Sequence, residues 1–479
     1  MASFTSLGVG SGLDLNTIVT QLVALERQPL VALQNKASQL NSQISLFGKV
    51  NSLFSGLQTA ANKLTDTTLW QKSTVASSNS SVVTATGTTG AAGSYAVTVQ
   101  NLAGNQTVAL DTALSDAEAL VGQGTLRLQL GSWNADQSEF TAKSGSAELS
   151  IDVTATDTLA TLRDKINAAG GGVTASLVTD TTGVRLALRS ESSGMENGFR
   201  LSVDDIDGSL IDTVGLSRFA FDPAVTTSGL VLKQSAANAR AIVNGIAVES
   251  ASNEISGAVD GVTLTVLQES ATATQVTVKR DKDAVVAAVK TFAEAYNAVV
   301  SYLAEQTKYD AGSKVAGALQ GDSTAVGLMS QLRGVLNASS GASASFPRLS
   351  DLGLEAQRDG TLVVDTAKLD AATADLDELK KAFGNADSLD ASNNGFARRY
   401  ATLATQVLGT DGALNTRTSS LQKLVSKNSD EQDKLNERVE RVQARLVAQY
   451  TALDSNVAKL NSLSSYVTQM IAQMNKSTT

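Results

Sequence analysis

Apolar residues recur three and four apart from Ala413 to Thr479 with no glycine or proline between them, the pattern of one very long coiled-coil helix. Its seam reads Leu421, Val425, Leu435, Val439, Val442 and Leu446, then Leu453, Val457, Leu460, Val467, Ile471 and Met474. Asn428, Gln432, Gln449 and Ser464 are its polar members. At 1.5 Å per residue, roughly sixty residues span about 90 Å, which predicts a projecting stalk. The opposite end carries a matching run: Ile18, Leu22 and Leu25, then Leu33, Ala37, Leu40, Ile44, Phe47, Val50, Phe54, Leu57, Ala61 and Leu64. Asp14 is placed to cap that helix, and Pro29 is expected to end or kink it near Gln28.

Burying a seam side chain returns ~1.5 to 3 kcal/mol, while ordering each residue costs ~1 to 2 kcal/mol. Neither arm is therefore expected to be firmly folded alone. An ordinary helical hairpin within one chain would satisfy the paired heptads, but the charges favour a further role. They crowd Asp430 to Arg445, where Asp430 with Lys434 and Glu437 with Arg441 are spaced as ion pairs on a helix facing water. Beyond Leu446 only Asp454, Lys459 and Lys476 remain, and before Lys36 only Asp14, Glu26 and Arg27. A helix flanked by Ser, Thr, Asn, Gln and Ala desolvates at far lower cost than one flanked by ions. The expected contact residues are Ile18, Leu22, Leu25, Leu33, Leu40 and Ile44 on the first arm. On the second they are Leu446, Leu453, Val457, Leu460, Val467, Ile471 and Met474.

Between the arms the period changes to two. Short alternating or β-branched runs at 81–86, 93–100, 124–130, 148–153, 173–178, 184–189, 199–203, 241–244, 262–267 and 275–278 predict a β-rich centre. Thr158 to Ala169, closed by Gly170, reads as one helix within it. After Lys282 helical spacing returns with Val285, Val289, Phe292, Tyr296, Val299 and Leu303, then Val326, Met329, Leu332 and Val335. A hairpin over Leu352 to Val364, turning at Asp359 and Gly360, interrupts these helices.

Composition narrows the chemistry. The 479 residues are 42% hydrophobic but only 4% aromatic, and contain neither Cys nor His, so serine or cysteine triads, zinc clusters and thiol redox sites are excluded. A net charge of -9 without a basic stripe argues against nucleic acid or an anionic membrane as partner. No apolar run approaches the ~18 residues of a membrane span. The first basic residue is Arg27, so a secretory signal with a positive n-region is not expected. A chain with no Cys and three prolines has few slow folding steps, as suits export in an unfolded state. Gly8, Gly10 and Gly12 mimic a nucleotide loop, but no strand precedes them and Leu13 stands where the last glycine belongs. Asp204, Asp205 and Asp207 before Gly208 resemble a calcium loop, yet Val203 and Val214 occupy its first and last ligand positions, so a solvated turn is expected. No carboxylate pair is marked out for glycoside hydrolysis. No enzyme, cofactor or metal centre is expected.

Specific segments go further than periodicity. Leu7-Gly-Val-Gly-Ser-Gly-Leu-Asp14, Ile18-Val-Thr-Gln-Leu-Val23 and Glu26-Arg-Gln-Pro-Leu30 resemble the N-terminus of the bacterial flagellar filament cap family, also called hook-associated protein 2. The segments Gly93 to Ala103, Val243-Asn-Gly245, Ser252-Asn-Glu-Ile255 and Asp260-Gly-Val-Thr-Leu264 are similar to that family in the same order. So are Phe292-Ala-Glu-Ala-Tyr-Asn297, Gly321-Asp-Ser-Thr324, Arg358-Asp-Gly-Thr-Leu362 and Ser464-Ser-Tyr-Val467. Leu159 to Leu188 resembles a small repeat module of flagellar axial proteins, whereas Asp111 to Ser146 and Glu191 to Gln234 match nothing in the family.

The resemblance implies an α+β multidomain fold, with long terminal coiled-coil helices and a helical leg domain enclosing β-rich inserted head domains. The boundaries expected are 1–40 with 446–479 for the arms and 41–80 with 280–445 for the leg. An inner β head takes 81–110 with 235–279, and an outer variable one 111–234. The implied function is a non-enzymatic cap of four to six copies, five favoured, at the distal filament tip. It would promote flagellin folding and insertion, prevent monomer leakage, and leave the cell by flagellar type III export with an export chaperone. A hook-filament junction protein, or a tip adhesin binding host glycans, is the alternative.

Overall fold

The computed structural model describes residues 14–206, 208, 213–224, 229–312 and 314–476. The glycine loop at 8–12, the motif residues Leu7 to Leu13 and Asp207 of the acidic turn lie outside them. The chain divides into a helical unit, made of residues 1–69 and 282–479, and a β unit, residues 70–281 inserted between them.

In the helical unit, Leu15–Thr65 is one helix, and Asp14 caps it by accepting from the Thr17 amide at 3.0 Å. Pro29 does not end it. Both Pro29 and Leu25 are exposed, so water can take the place of the donor that proline denies to the Leu25 carbonyl. At the other end Ala413–Lys476 is a second unbroken helix. Three further helices, Thr366–Ala372, Leu376–Gly384 and Phe396–Leu408, have no counterpart in the sequence reading. Five of their twelve buried residues are alanines, which blurs the period.

The core of this unit is an aromatic cluster in a chain poor in aromatics. Phe292 and Tyr296, four apart on Lys282–Thr307, both meet the Tyr400 ring edge-on, at 5.4 and 5.5 Å between centroids. Each phenol finds a carbonyl: Tyr400 donates to Leu332 at 3.2 Å, Tyr296 to Gly360 at 3.1 Å. Burial pushes the Tyr296 hydroxyl up to about 12. Beside it, Asn297 donates to the Leu362 carbonyl at 2.7 Å and accepts from the Leu362 amide at 2.6 Å. Its side chain thus completes the hairpin of Leu354–Ala356 with Leu362–Val364. On Ser323–Asn337 the buried face is Ala325, Leu328, Leu332 and Leu336, one step round from the expected face, and Val326 points outward. Leu332 belongs to both faces, while the bulkier Val326 and Val335 lie on the stripe next to the one that Ala325 shares with Leu328 and Leu336.

The β unit contains two hydrophobic cores. One lies between a five-stranded antiparallel sheet and a three-stranded one. The first is ordered Ser73–Ser77, Thr274–Arg280, Gly93–Asn101, Ala239–Val243, Ile246–Ser250; the second Glu254–Val259, Val262–Val266, Val83–Thr86. Asn244 and Gly245, with φ of 48° and 85°, make the two-residue turn that joins Ala239–Val243 to Ile246–Ser250. The second core packs the sheet built on Gly124–Trp133 against the four-stranded sheet Leu230–Gln234, Thr107–Leu110, Gly183–Ser190, Val173–Asp180. Helix Leu159–Ala169 contributes Leu162 and Ile166 to it. The two ends of the whole insertion are antiparallel neighbours, Ser73 opposite Arg280, and the Asp281 amide donates to the Lys72 carbonyl at 2.8 Å.

Candidate functional site

Of the carboxylates that resemble a calcium loop, Asp204 and Asp205 are used structurally. Asp204 pairs with Arg127 at 2.8 Å, and Asp205 accepts from the amides of Leu216 and Ser217 at 2.7 and 3.0 Å. No group of three or more metal-binding side chains occurs among the described residues, and no described helix is long and apolar enough to cross a membrane.

The terminal helices carry the notable surface. The Asp14 cap holds the first turn, and hydrogen bonds from the Thr17 hydroxyl and amide lower its pKa. Further along, Glu26 lies 3.4 Å from Arg438. Toward the helical core Gln43 reaches the Ala318 carbonyl, just before Asp322, whose carboxylate holds Arg417 at 2.8 Å. The helices Leu15–Thr65 and Ala413–Lys476 are therefore antiparallel. Arg417 and Asp322 form a pair with the carboxylate 4% exposed, and Asp322 also caps Ser323–Asn337 through the Thr324 and Ala325 amides. Out along the arms, Val19 and Val23 close on Val439, flanked by Leu435, Leu446, Val447 and Tyr450.

This intramolecular seam is one residue away from the expected one at its start. Leu15, Val19 and Val23 are buried, while Ile18, Leu22 and Leu25 face outward, Leu25 with 61% of its surface exposed. A four-residue valine repeat closing on Val439 fixes the rotation of the helix. Leu40 is buried, and Leu33, Ile44, Leu446 and Val457 are half-buried. Leu453, Leu460, Val467, Ile471 and Met474 are exposed, from 43% to 65%. Four of these, Leu453, Leu460, Val467 and Met474, are seven apart and line one face. Leu463, Tyr466 and Met470 add to the same exposed stretch and escaped the sequence reading, although the spacing of 463 from 467 and 470 from 474 signals them. Such a stripe, bordered by neutral polar residues, suits docking against other helices.

Residues 236–462 match the sequence profile of the Flagellar hook-associated protein 2 C-terminus, residues 11–106 that of its N-terminus, and residues 139–192 the Flagellin hook IN motif. Flagellar hook-associated protein 2 of Escherichia coli K12 is 30% identical over 484 residues, 98% of either chain. The B-type flagellar hook-associated protein 2 of Pseudomonas aeruginosa is 31% identical over 490 residues, again 98% of either chain. The crystal structure of the D1-D2-D3 domains of the flagellar cap protein FliD from Escherichia coli aligns with a TM-score of 0.59 at 26% identity, covering 79% of this chain and 99% of that one.

Proposed function

Because this chain belongs to the flagellar hook-associated protein 2 family, we propose that it forms the non-enzymatic cap at the distal tip of a bacterial flagellar filament, where it promotes folding and insertion of flagellin and prevents monomer leakage. The observation that carries this reading is the exposed apolar stripe of Leu453, Leu460, Val467 and Met474 on a nearly uncharged stretch of helix. Together with the outward face of Ile18, Leu22 and Leu25, it offers helix-packing surface to other chains, and flagellin and further copies of the cap are its intended partners. The arms dock among flagellin helices while the β unit associates side by side with its neighbours as a lid, in a ring of four to six copies. Export proceeds through the flagellar type III channel with an export chaperone. The finer division into arms, leg, inner and outer head follows the boundaries given above with two shifts: residues 70–80 pass from the leg to the inner head, where Ser73–Ser77 pairs with Thr274–Arg280, and Thr107–Leu110 passes to the outer head, where it pairs with Gly183–Ser190.

The work is geometric. If the ring and the filament differ in rotational symmetry, one arm fits poorly and leaves a gap in which the next flagellin folds, after which the cap steps on. Deleting residues 447–479 tests the docking role. The β unit should keep its fold by circular dichroism, and filaments should no longer elongate in a strain carrying only the deleted form. Filaments of normal length from that strain would end the proposal.

A further inference from the structure

We propose that the paired terminal helices contain a built-in joint at the level of Pro29 and Asn428, across which the outer part of the pair opens separately from the helical core. Two independent defects lie within about two turns of each other there, one on each helix. Asn428 is 2% exposed and occupies a seam position between the buried Leu421 and Val439. Its carboxamide oxygen accepts from Gln432 at 2.6 Å, but its nitrogen, fully enclosed, has no partner. Exchanging the two ends of both amides, Asn428 and Gln432, keeps their mutual bond but only moves the deficit to the Asn428 oxygen. A buried polar atom without a partner forfeits the hydration it had in the unfolded chain, so this layer opposes helix pairing instead of supporting it.

The second defect is on the facing helix. The Glu26 and Arg438 contact places Pro29 opposite a position close to Leu435, within about two turns of Asn428. Proline removes one backbone hydrogen bond and disfavours the turn before it. Water tolerates both costs at an exposed site, and the helix continues, but its resistance to bending is lowest there.

The distribution of buried residues follows the same division. Inward of the joint, Leu40, Phe47, Val50, Phe54, Leu57, Leu64 and Leu421 are all buried. Outward of it the shared core is Val19, Val23 and Val439 with half-buried neighbours. An exposed ion pair at Glu26 and Arg438 adds little, being screened by water and salt. The outer segment, residues 15–28 with 436–450, is thus attached through a layer that works against it and retained by a small core of its own. It forms a local opening unit of lower stability than the rest of the helical unit. This inference does not depend on what the arms bind.

Native-state hydrogen exchange on the full chain tests it. Amides of residues 18–28 and 436–448 should exchange at least about tenfold faster than those of 47–60 and 414–421, and with a common opening constant. Asn428→Leu, which fills the seam with an apolar group, should slow exchange of the outer set about tenfold and leave the inner set unchanged. Pro29→Ala should do the same from the other helix, and serves alone if Asn428→Leu does not fold. Because the chain has no cysteine, Glu26→Cys with Arg438→Cys gives a single thiol pair, and bridging it with a short bifunctional maleimide should protect the outer set only. Equal exchange of the two sets in the unaltered protein, or equal slowing of both by Pro29→Ala, would overturn the joint.

Discussion

Asp157 illustrates how a single carboxylate is held in the β unit. It accepts from the Thr154 amide at 2.6 Å, the Thr161 hydroxyl at 3.1 Å and the Lys165 ammonium. Desolvation pushes its pKa up, but the bonds from Lys165, Thr154 and Thr161 together outweigh that and hold it at about 2. The folded state therefore favours the ionised form. The stabilisation is complete above the unfolded value of 3.8 and fades as pH falls from there through about 2. Asp157→Asn should destabilise the β unit at neutral pH by roughly 1 to 2 kcal/mol and flatten the acid limb of its stability curve between those values. Thermal melts of the isolated residues 70–281 from pH 7 to pH 2 read both effects, and an unchanged acid limb in the variant would show that Asp157 is not its source.

At the scale of elements, the hairpin at 354–364 depends on a neighbour instead of on its own length. Three-residue strands are too short to stand alone, and Asn297 supplies two hydrogen bonds that a third strand would otherwise give. Asn297→Ala leaves the Leu362 amide and carbonyl without these partners, and should cost the helical unit about 2 to 3 kcal/mol. Exchange of the 354–364 amides should rise more than that of the Lys282–Thr307 helix, and equal rises would mean the clamp is not local. Two of the segments that carried the family resemblance, Phe292 to Asn297 and Arg358 to Leu362, are thus joined in space through Tyr296, Asn297 and Gly360. The sequence displayed both segments but not their contact, since a side chain standing in for a strand has no periodicity. Where one signal dominated, the reading was accurate: Thr158 and Gly170 bound helix Leu159–Ala169, the latter at φ 63°. Strands such as Gly93–Asn101 and Gly124–Trp133 followed from strict alternation. Where alanines share a face, as in Phe396–Leu408, or where two stripes compete, as at Ile18 against Val19, only packing decides. The exposed end of the second arm was legible because absence of charge is itself a pattern. The orphaned Asn428 nitrogen was not, because the sequence gives its place in the seam without its partners.

For the molecule as a whole, the order of segments matters more than any contact. The helical unit is assembled from the two ends of the chain, so it closes only after the β unit between them has been made. Residues 73–280 begin and end on paired strands, with Lys72 and Asp281 hydrogen-bonded to each other. Replacing them by a short Gly-Ser turn should leave the helical unit folded, with its helix signal per molecule and its aromatic near-ultraviolet spectrum from Tyr296 and Tyr400 retained. Loss of that spectrum would mean that the insertion is needed to shape the helices. An ornament plugged in at two touching points can be enlarged, trimmed or exchanged over evolutionary time without rewiring its handle. Lineages are then free to redecorate the inserted surface while the helical frame that carries it stays ancestral.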